Sequence, residues 1–267
     1  MRYQIYQGHC VRKRFGQCFL QNQYYINEIV DAINPQCNEL LLEIGPGLGA
    51  LTHKIGDKLN HLAVVEIDKD LALYLKNNPI LGPKLIIFQQ DILTFDFENF
   101  SKKQGNPLRI FGNLPYNIST PLLFELFKHM NVLQDMHLMV QKEVAARLIA
   151  SPGNKNYGRL SVMAQYYCTI TPIITIPPKA FTPSPKVHST MIRLLPRAQK
   201  YDSKFNTTIL NSITTAAFSQ RRKTLKNSLS NFFSSHHLLS INISPTLRAE
   251  DISVDQYCEL TSLWLSH

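Results

Sequence analysis

Short apolar runs recur through the first two thirds of the chain, separated by stretches with helical spacing. They are Leu40–Ile44, Leu62–Ile67, Leu85–Phe88, Leu108–Phe111, Met136–Val140, Ile170–Ile176 and Val187–Leu195, and they predict seven strands. Strands that alternate with helices bury both faces of a sheet, so the pattern predicts an α/β fold with a mostly parallel sheet. Ile26, Ile29, Val30 and Ile33 share one helical face, and Leu122, Leu123, Leu126 and Phe127 another; both stripes read as core packing. After Pro196 the pattern changes: Phe205–Phe218, Thr224–Phe233 and Val254–Trp264 have helical spacing and no strand run follows. Ser253 and Gln256 stand at the spacing of a capping box for the last helix. The expected division is an α/β domain over residues 1–200 and a small all-helical domain over 201–267, with the boundary near 197–204. Internal repeats and low-complexity segments are absent from the sequence.

Charge sharpens this outline. The 267 residues carry 28 Lys and Arg against 19 Asp and Glu, a net charge of +9. Between Val144 and Tyr201 stand eight basic residues and no carboxylate, and the first twenty residues hold Arg2, Arg12, Lys13 and Arg14 without an acid. Such a field attracts polyanions, because each phosphate neutralised releases condensed counterions. A solvated basic surface would look the same from composition alone.

Five cysteines, Cys10, Cys18, Cys37, Cys168 and Cys258, form an odd set without CxxC spacing, so neither a zinc site nor a disulfide framework is expected. A reduced, cytoplasmic protein with no metal fits this usage. His236 and His237 lack partners at metal spacing and read as surface. The N-terminal residues do not have the form of a signal peptide. The longest uncharged stretch, Leu160–Pro178, is interrupted by polar residues and prolines, a poor membrane span.

The first strand runs into Glu43-Ile44-Gly45-Pro46-Gly47-Leu48-Gly49. Glycines at this spacing let the chain turn sharply and approach a ligand with bare backbone. Glu66 closes the second strand 21 positions after Gly45, where a carboxylate can accept from both hydroxyls of a ribose. Together they indicate an adenosine-type ligand without choosing between a nicotinamide and another cofactor. Asp91, after the third strand, stands where an acid could meet the adenine amino group, though a lone Asp there also suits a helix cap.

Asn113-Leu114-Pro115-Tyr116 follows the fourth strand and precedes a helix expected to begin near Ser119. An aromatic amine is a poor nucleophile because its lone pair is delocalised into the ring. The Asn113 side-chain oxygen and the Leu114 carbonyl could accept its two N–H groups and aim the lone pair at an electrophile. Tyr116 could stack on the base, and Pro115 would fix the turn. Alone, the tetrapeptide would read as a capped turn; its place after the glycine loop and Glu66 favours chemistry.

Over nearly its whole length the chain resembles the KsgA-type (kasugamycin-resistance) small-subunit rRNA adenine dimethyltransferases. The matching segments are 14–20 (Arg-Phe-Gly-Gln-Cys-Phe-Leu), Glu43–Thr52, Val65–Asp68, Gln90–Leu93, Asn113–Ser119, Gln141–Val144, Phe181–Ser189 and Ala217–Leu229. The resemblance implies a Rossmann-like class I methyltransferase fold with a small helical C-terminal domain that binds RNA or the ribosome. It implies N6 dimethylation of two adjacent adenosines in a hairpin loop near the 3′ end of small-subunit (16S) rRNA, with S-adenosylmethionine as cosubstrate. The expected substrate is an immature 30S-type particle, and a monomer with no membrane partner is expected.

Carried over residue by residue, Gln17, Cys18 and Leu20 border the methionine end of the cofactor and Gly45 and Gly47 pass beneath it. Glu66 takes the ribose, Asp91 and Ile92 the cofactor adenine, and Asn113, Leu114, Pro115 and Tyr116 the target base, with Asn113 also at the cofactor. Phe181 forms a second aromatic wall around the flipped adenosine. Arg221, Arg222 and Lys223, at the expected start of a helix, suit phosphate contacts. The chain departs from the family at Cys18, where an Asn is usual, so a weak thiol replaces an amide. Two other readings stay open: a ribosome-assembly or transcription factor that binds nucleic acid without catalysis, and a nicotinamide-dependent dehydrogenase. The Asn113–Tyr116 turn argues against a pure binder, and no acid-base pair stands where a dehydrogenase needs one.

Overall fold

The computed structural model describes residues 5–6, 8–197 and 205–266. The expected boundary near 197–204 therefore lies, apart from Arg197, outside the described residues. By contacts the chain forms two compact units, one containing residues up to Ala145 with Thr171–Pro196, the other Ala146–Ile170 with Arg197 onward.

The first unit is built on seven strands: β1 Leu40–Ile44, β2 Leu62–Val65, β3 Leu85–Phe88, β4 Leu108–Asn113, β5 Leu133–Gln141, β6 Cys168–Ile176 and β7 Ser189–Pro196. Their order across the sheet is β3-β2-β1-β4-β5-β7-β6. β1 pairs in parallel with β2 and β4, β2 with β3, and β4 with β5, while β7 runs antiparallel to β5. The order reverses between β1 and β4, the switch point outside whose carboxyl ends open α/β sheets bind ligands.

Each strand coincides with an apolar run, and β1 and β2 are almost wholly buried because both sheet faces are covered. β5 begins earlier than its apolar run because it takes in Asp135, which is 2% exposed and paired. The helices of this unit are α1 Gln23–Ile33, α2 Ala50–Gly56, α3 Lys69–Lys76, α4 Phe97–Gln104 and α5 Ser119–Leu126, and α6 Lys142–Leu148 begins in it and ends in the second. α1 starts where the Asn22 side chain accepts from Tyr24 N and buries Ile26, Ile29, Val30 and Ile33. It stops at Asn34, which takes a left-handed conformation at φ 45°. A short antiparallel ribbon pairs Phe19–Leu20 with Phe181–Thr182.

The second unit holds α7 Arg159–Tyr167, α8 Thr207–Ser219, α9 Leu225–Ser228, α10 Ser235–Ser240 and α11 Val254–Leu265. Ser253 and Gln256 close the reciprocal bonds of a capping box at α11, at 3.2 and 2.9 Å. The long helix expected over Thr224–Phe233 shrinks to α9. Leu225, Leu229 and Phe233 are buried at helical spacing, but Ser228, Ser230 and Asn231 offer the backbone turn alternatives. No helix among the described residues is long and apolar enough to cross a membrane.

Candidate active site

Between β1 and α2 the chain turns through Gly45, Gly47 and Gly49, all left-handed, with φ of 63°, 58° and 86°. A β-carbon at Gly47 would stand 3.0 Å from the Phe19 ring, so bare backbone is required there. At Gly112, a β-carbon would meet the Ile44 carbonyl at 2.4 Å, so β4 approaches β1 closely only because this residue has no side chain. Above these carboxyl ends opens a cavity of about 520 Å³.

Glu66 follows β2 and is 5% exposed. Its Oε2 accepts from Gly47 N at 3.2 Å and its Oε1 from Asp68 N at 2.9 Å. Burial raises its pKa to about 6, held down by the Asp68 and Gly47 N–H groups, so it is mostly ionised at neutral pH and lines the cavity as an acceptor. Glu43, also lining the cavity and 2% exposed, is pushed to about 8 by burial, moderated by Thr52 and reinforced by the Glu66 charge. It is mainly the neutral acid at pH 7, and its Oε2 is buried without a hydrogen-bond partner.

Residues 14–18 form another wall, tied down by the chain just before them. Asp68, fully buried, accepts from Gln17 Nε2 at 2.8 Å and pairs with Arg12 Nη1 at 3.0 Å; Arg12 also pairs with Asp70. Gln17 Oε1 accepts from Arg12 N at 2.7 Å. Gln17, Cys18 and Leu20 all line the cavity, and burial raises the Cys18 thiol.

Asn113 ends β4, and its Nδ2 donates to the Cys18 carbonyl at 2.8 Å. This fixes the amide so that Oδ1, engaged by no described hydrogen bond, is left as the acceptor on the cavity wall. Leu114 N donates to Met139 O at 3.2 Å, pinning the next peptide. The Tyr116 hydroxyl and Ser189 Oγ, the latter fully buried at the start of β7, are 2.6 Å apart, which anchors the ring by its tip. Ser119 begins α5, as expected, and its Oγ donates to Tyr116 O.

Asp91 and Ile92 line the cavity too, and Asp91 caps a short 3₁₀ turn through Leu93 N at 3.0 Å, so the cap and the cavity wall coincide. The structure thus brings Gln17, Cys18, Leu20, Gly45, Gly47, Glu66, Asp91, Ile92 and Asn113–Tyr116 to one cavity. Phe181 is not among the residues lining it. It is 2% exposed, paired with Leu20 and packed in the core with Ile26 and Met191, so its ring sits under the wall instead of forming it.

Arg221, Arg222 and Lys223 lie on the turn before α9, not on a helix. All three are exposed, but Arg221 donates to the Lys155 and Tyr157 carbonyls and pairs with Glu250 at 2.8 Å, whereas Arg222 and Lys223 make no ion pair among the described residues. Asp68 and Ser189 end matched segments, but no site role was assigned to them, because their partners lie 51 and 73 positions away. Among the described residues no cluster of three or more His, Cys, Asp or Glu has the arrangement of a metal site.

Residues 8–264 match the family described as ribosomal RNA adenine dimethylase. The chain is 56% identical over 266 residues to Ribosomal RNA small subunit methyltransferase A of Erwinia tasmaniensis, covering 100% of this chain and 97% of that protein. It is 54% identical to the protein of that name from Escherichia coli K12, covering 98% and 96%. A dimethyladenosine transferase from Plasmodium falciparum has a similar fold, with a TM-score of 0.78 at 24% identity over 91% of this chain and 95% of that one. The 23S rRNA methyltransferase ErmE follows at 0.68 and 21%, over 93% and 100%. With a glycine loop, a buried acid and an Asn-Leu-Pro-Tyr turn around one cavity, and relatives matched from end to end, the chain belongs to the ribosomal RNA adenine dimethylase family.

Proposed function

We propose that this protein dimethylates N6 of two adjacent adenosines in a hairpin loop near the 3′ end of small-subunit (16S) rRNA. Its family makes it an S-adenosylmethionine-dependent rRNA methyltransferase. The lining residues fit that cosubstrate: the bare backbone of Gly45 and Gly47 admits it, and Glu66 presents a buried carboxylate suited to ribose hydroxyls. When bound, the cosubstrate supplies an electrophilic methyl group on a sulfonium. Asp91 and Ile92 take its adenine, and Gln17, Cys18 and Leu20 flank its methionine end.

The observation that carries this reading is the fixed amide of Asn113. Because Nδ2 is donated to Cys18 O, Oδ1 is the acceptor offered to an adenine amino group, with the Leu114 carbonyl beside it. The two acceptors draw the N–H groups away from the ring plane as the nitrogen becomes tetrahedral, and the interaction strengthens as positive charge develops there. Pro115 holds the turn, the Tyr116 ring stacks on the base, and Phe181 supports that wall from beneath. The departing proton passes to solvent after methyl transfer.

The helical C-terminal domain, residues 201–267, serves RNA or ribosome binding, with Arg222 and Lys223 as the cations free of an ion pair among the described residues and Arg221 holding their turn in place. The substrate is rRNA within an immature small subunit, and the protein works as a cytoplasmic monomer without a membrane partner. Incubation with immature small subunits and isotopically labelled cosubstrate, followed by mass-spectrometric mapping, tests the reading. Two adjacent dimethyladenosines are expected; label elsewhere, or none, overturns it.

A further inference from the structure

Two arginines in the N-terminal segment stand two residues apart and meet different fates. Arg12 is consumed internally, paired with Asp68 and Asp70. Arg14 is exposed, makes no ion pair among the described residues and lines the cavity. Its guanidinium carbon lies 4.6 Å from the centroid of the Phe15 ring, which lines the same cavity. The turn that carries them leans on the Asn113–Tyr116 turn: a β-carbon at Gly16 would stand 3.0 Å from Asn117 Oδ1 and 3.5 Å from Pro115 Cβ. Stacking on an aromatic face orients a guanidinium without using its N–H donors, which stay available for the oxygens of a phosphate.

A base that enters this cavity to reach Asn113 leaves its own phosphates at the mouth, where removing it from its stack must be offset by new contacts. We infer that Arg14, held over the Phe15 ring, binds the backbone phosphate of the flipped adenosine and is a substrate-positioning residue. This rests on the functional reading given above. Of the cations on residues 9–20 whose side chains the structure describes, Arg14 is the one with no acid to neutralise it.

The test uses full-length protein, small subunits isolated from cells that lack the methylation, and Arg14→Ala, Arg14→Lys and Phe15→Leu. Arg14→Ala should raise KM for the subunits on the order of tenfold, the loss of one charge-assisted contact. It should also reduce the dependence of log KM on log salt by about 0.7, one phosphate on a single strand. Arg14→Lys keeps the charge but loses the guanidinium over the ring, and Phe15→Leu stays apolar but loses the ring; each should fall between wild type and Arg14→Ala. Calorimetry should show the S-adenosylmethionine dissociation constant of Arg14→Ala at the wild-type value. An unchanged KM and salt slope in Arg14→Ala, with wild type active, sinks this assignment alone, as does a loss confined to cosubstrate binding. A wild type that transfers no methyl overturns both this and the functional reading.

Discussion

The two ends of β4 bury polar side chains for opposite purposes. Near its start, Arg109 is 7% exposed and spends its donors on Asp135 Oδ1 at 2.9 Å, Glu39 Oε2 at 2.6 Å and the Ile33 carbonyl at 2.7 Å. Arg193 of β7 adds a further bond to Asp135 at 3.2 Å. At the other end, Asn113 commits its Nδ2 and leaves Oδ1 uncommitted, while Glu43 keeps a buried oxygen without a partner. A saturated cluster fixes the strands; an unsaturated one costs stability and is retained where a ligand can complete it. His137, beside Asp135, blurs the contrast with its own buried, unpartnered Nε2, and it lies away from the cavity wall.

The largest effect that separates the two ends is structural. Asp135→Ala strands the Arg109 guanidinium and should lower the unfolding free energy by about 3–5 kcal/mol in urea titrations. Cosubstrate affinity per folded molecule should not change, and a large change would show that the two ends are coupled. Asn113→Ala should do the reverse. Turnover on small subunits should fall by on the order of 10²–10³, the usual result of removing one preorganised polar contact, with cosubstrate binding much less affected. Near-normal dimethylation would move the catalytic centre elsewhere.

A third effect distinguishes the ends by pH. Burial raises Glu43 to about 8 from an ordinary 4.5, so its contribution to stability is present below 4.5 and is lost as pH rises through about 8. Burial lowers His137 to about 4 from 6.5, so its contribution is present above 6.5 and is lost as pH falls through about 4. The two windows overlap between pH 4.5 and 6.5, where they oppose each other, so Glu43→Gln should flatten the fall in stability above pH 6.5 and His137→Gln the fall below pH 4.5. The smallest effect lies in Tyr116→Phe, which forfeits the bond to Ser189 Oγ. It should cost about 1 kcal/mol in stability and reduce turnover only mildly, since the ring face does the stacking. A loss of turnover as large as that of Asn113→Ala would give the hydroxyl a part in the chemistry.

The saturated end was nearly invisible in the sequence, and the unsaturated end was plain. Apolar runs located all seven strands, because a strand covered on both faces has little room for polar residues. They missed the first three residues of β5, because Asp135 reads as a strand end until Arg109, 26 positions away, neutralises it. The glycine loop, Glu66 and Asn113 were legible because a ligand-contacting turn restricts residue type locally. Asp68 and Ser189 lay in matched segments, but their roles were not legible, since only folding brings in their partners. Phe181 was legible as a motif residue, but the depth at which its ring sits is set by its pairing with Leu20. The Arg221–Lys223 run looked uniform along the chain, and only Glu250, 29 positions on, singles out Arg221 as structural. The inclusion of α7 in the helical unit leaves no trace in composition, because Leu160, Val162 and Met163 look like any other core residues.

The segment 9–18, which carries the wall residues 14–18, has a kinetic consequence. It is the least local part of the site: Gln17 reaches Asp68 across 51 positions, Arg12 reaches Asp70 across 58, and Cys18 receives Asn113 across 95. It supplies no strand to the central sheet, so β1 to β4 can pair before it docks and stay paired when it lifts. Its opening is therefore a sub-global event with a free energy of its own, below that of whole-domain unfolding. Amides of residues 9–18 should exchange with solvent no slower than that opening allows, while the amides of β1 and β4 wait for the sheet. Ligand saturation should then slow the first clock far more than the second.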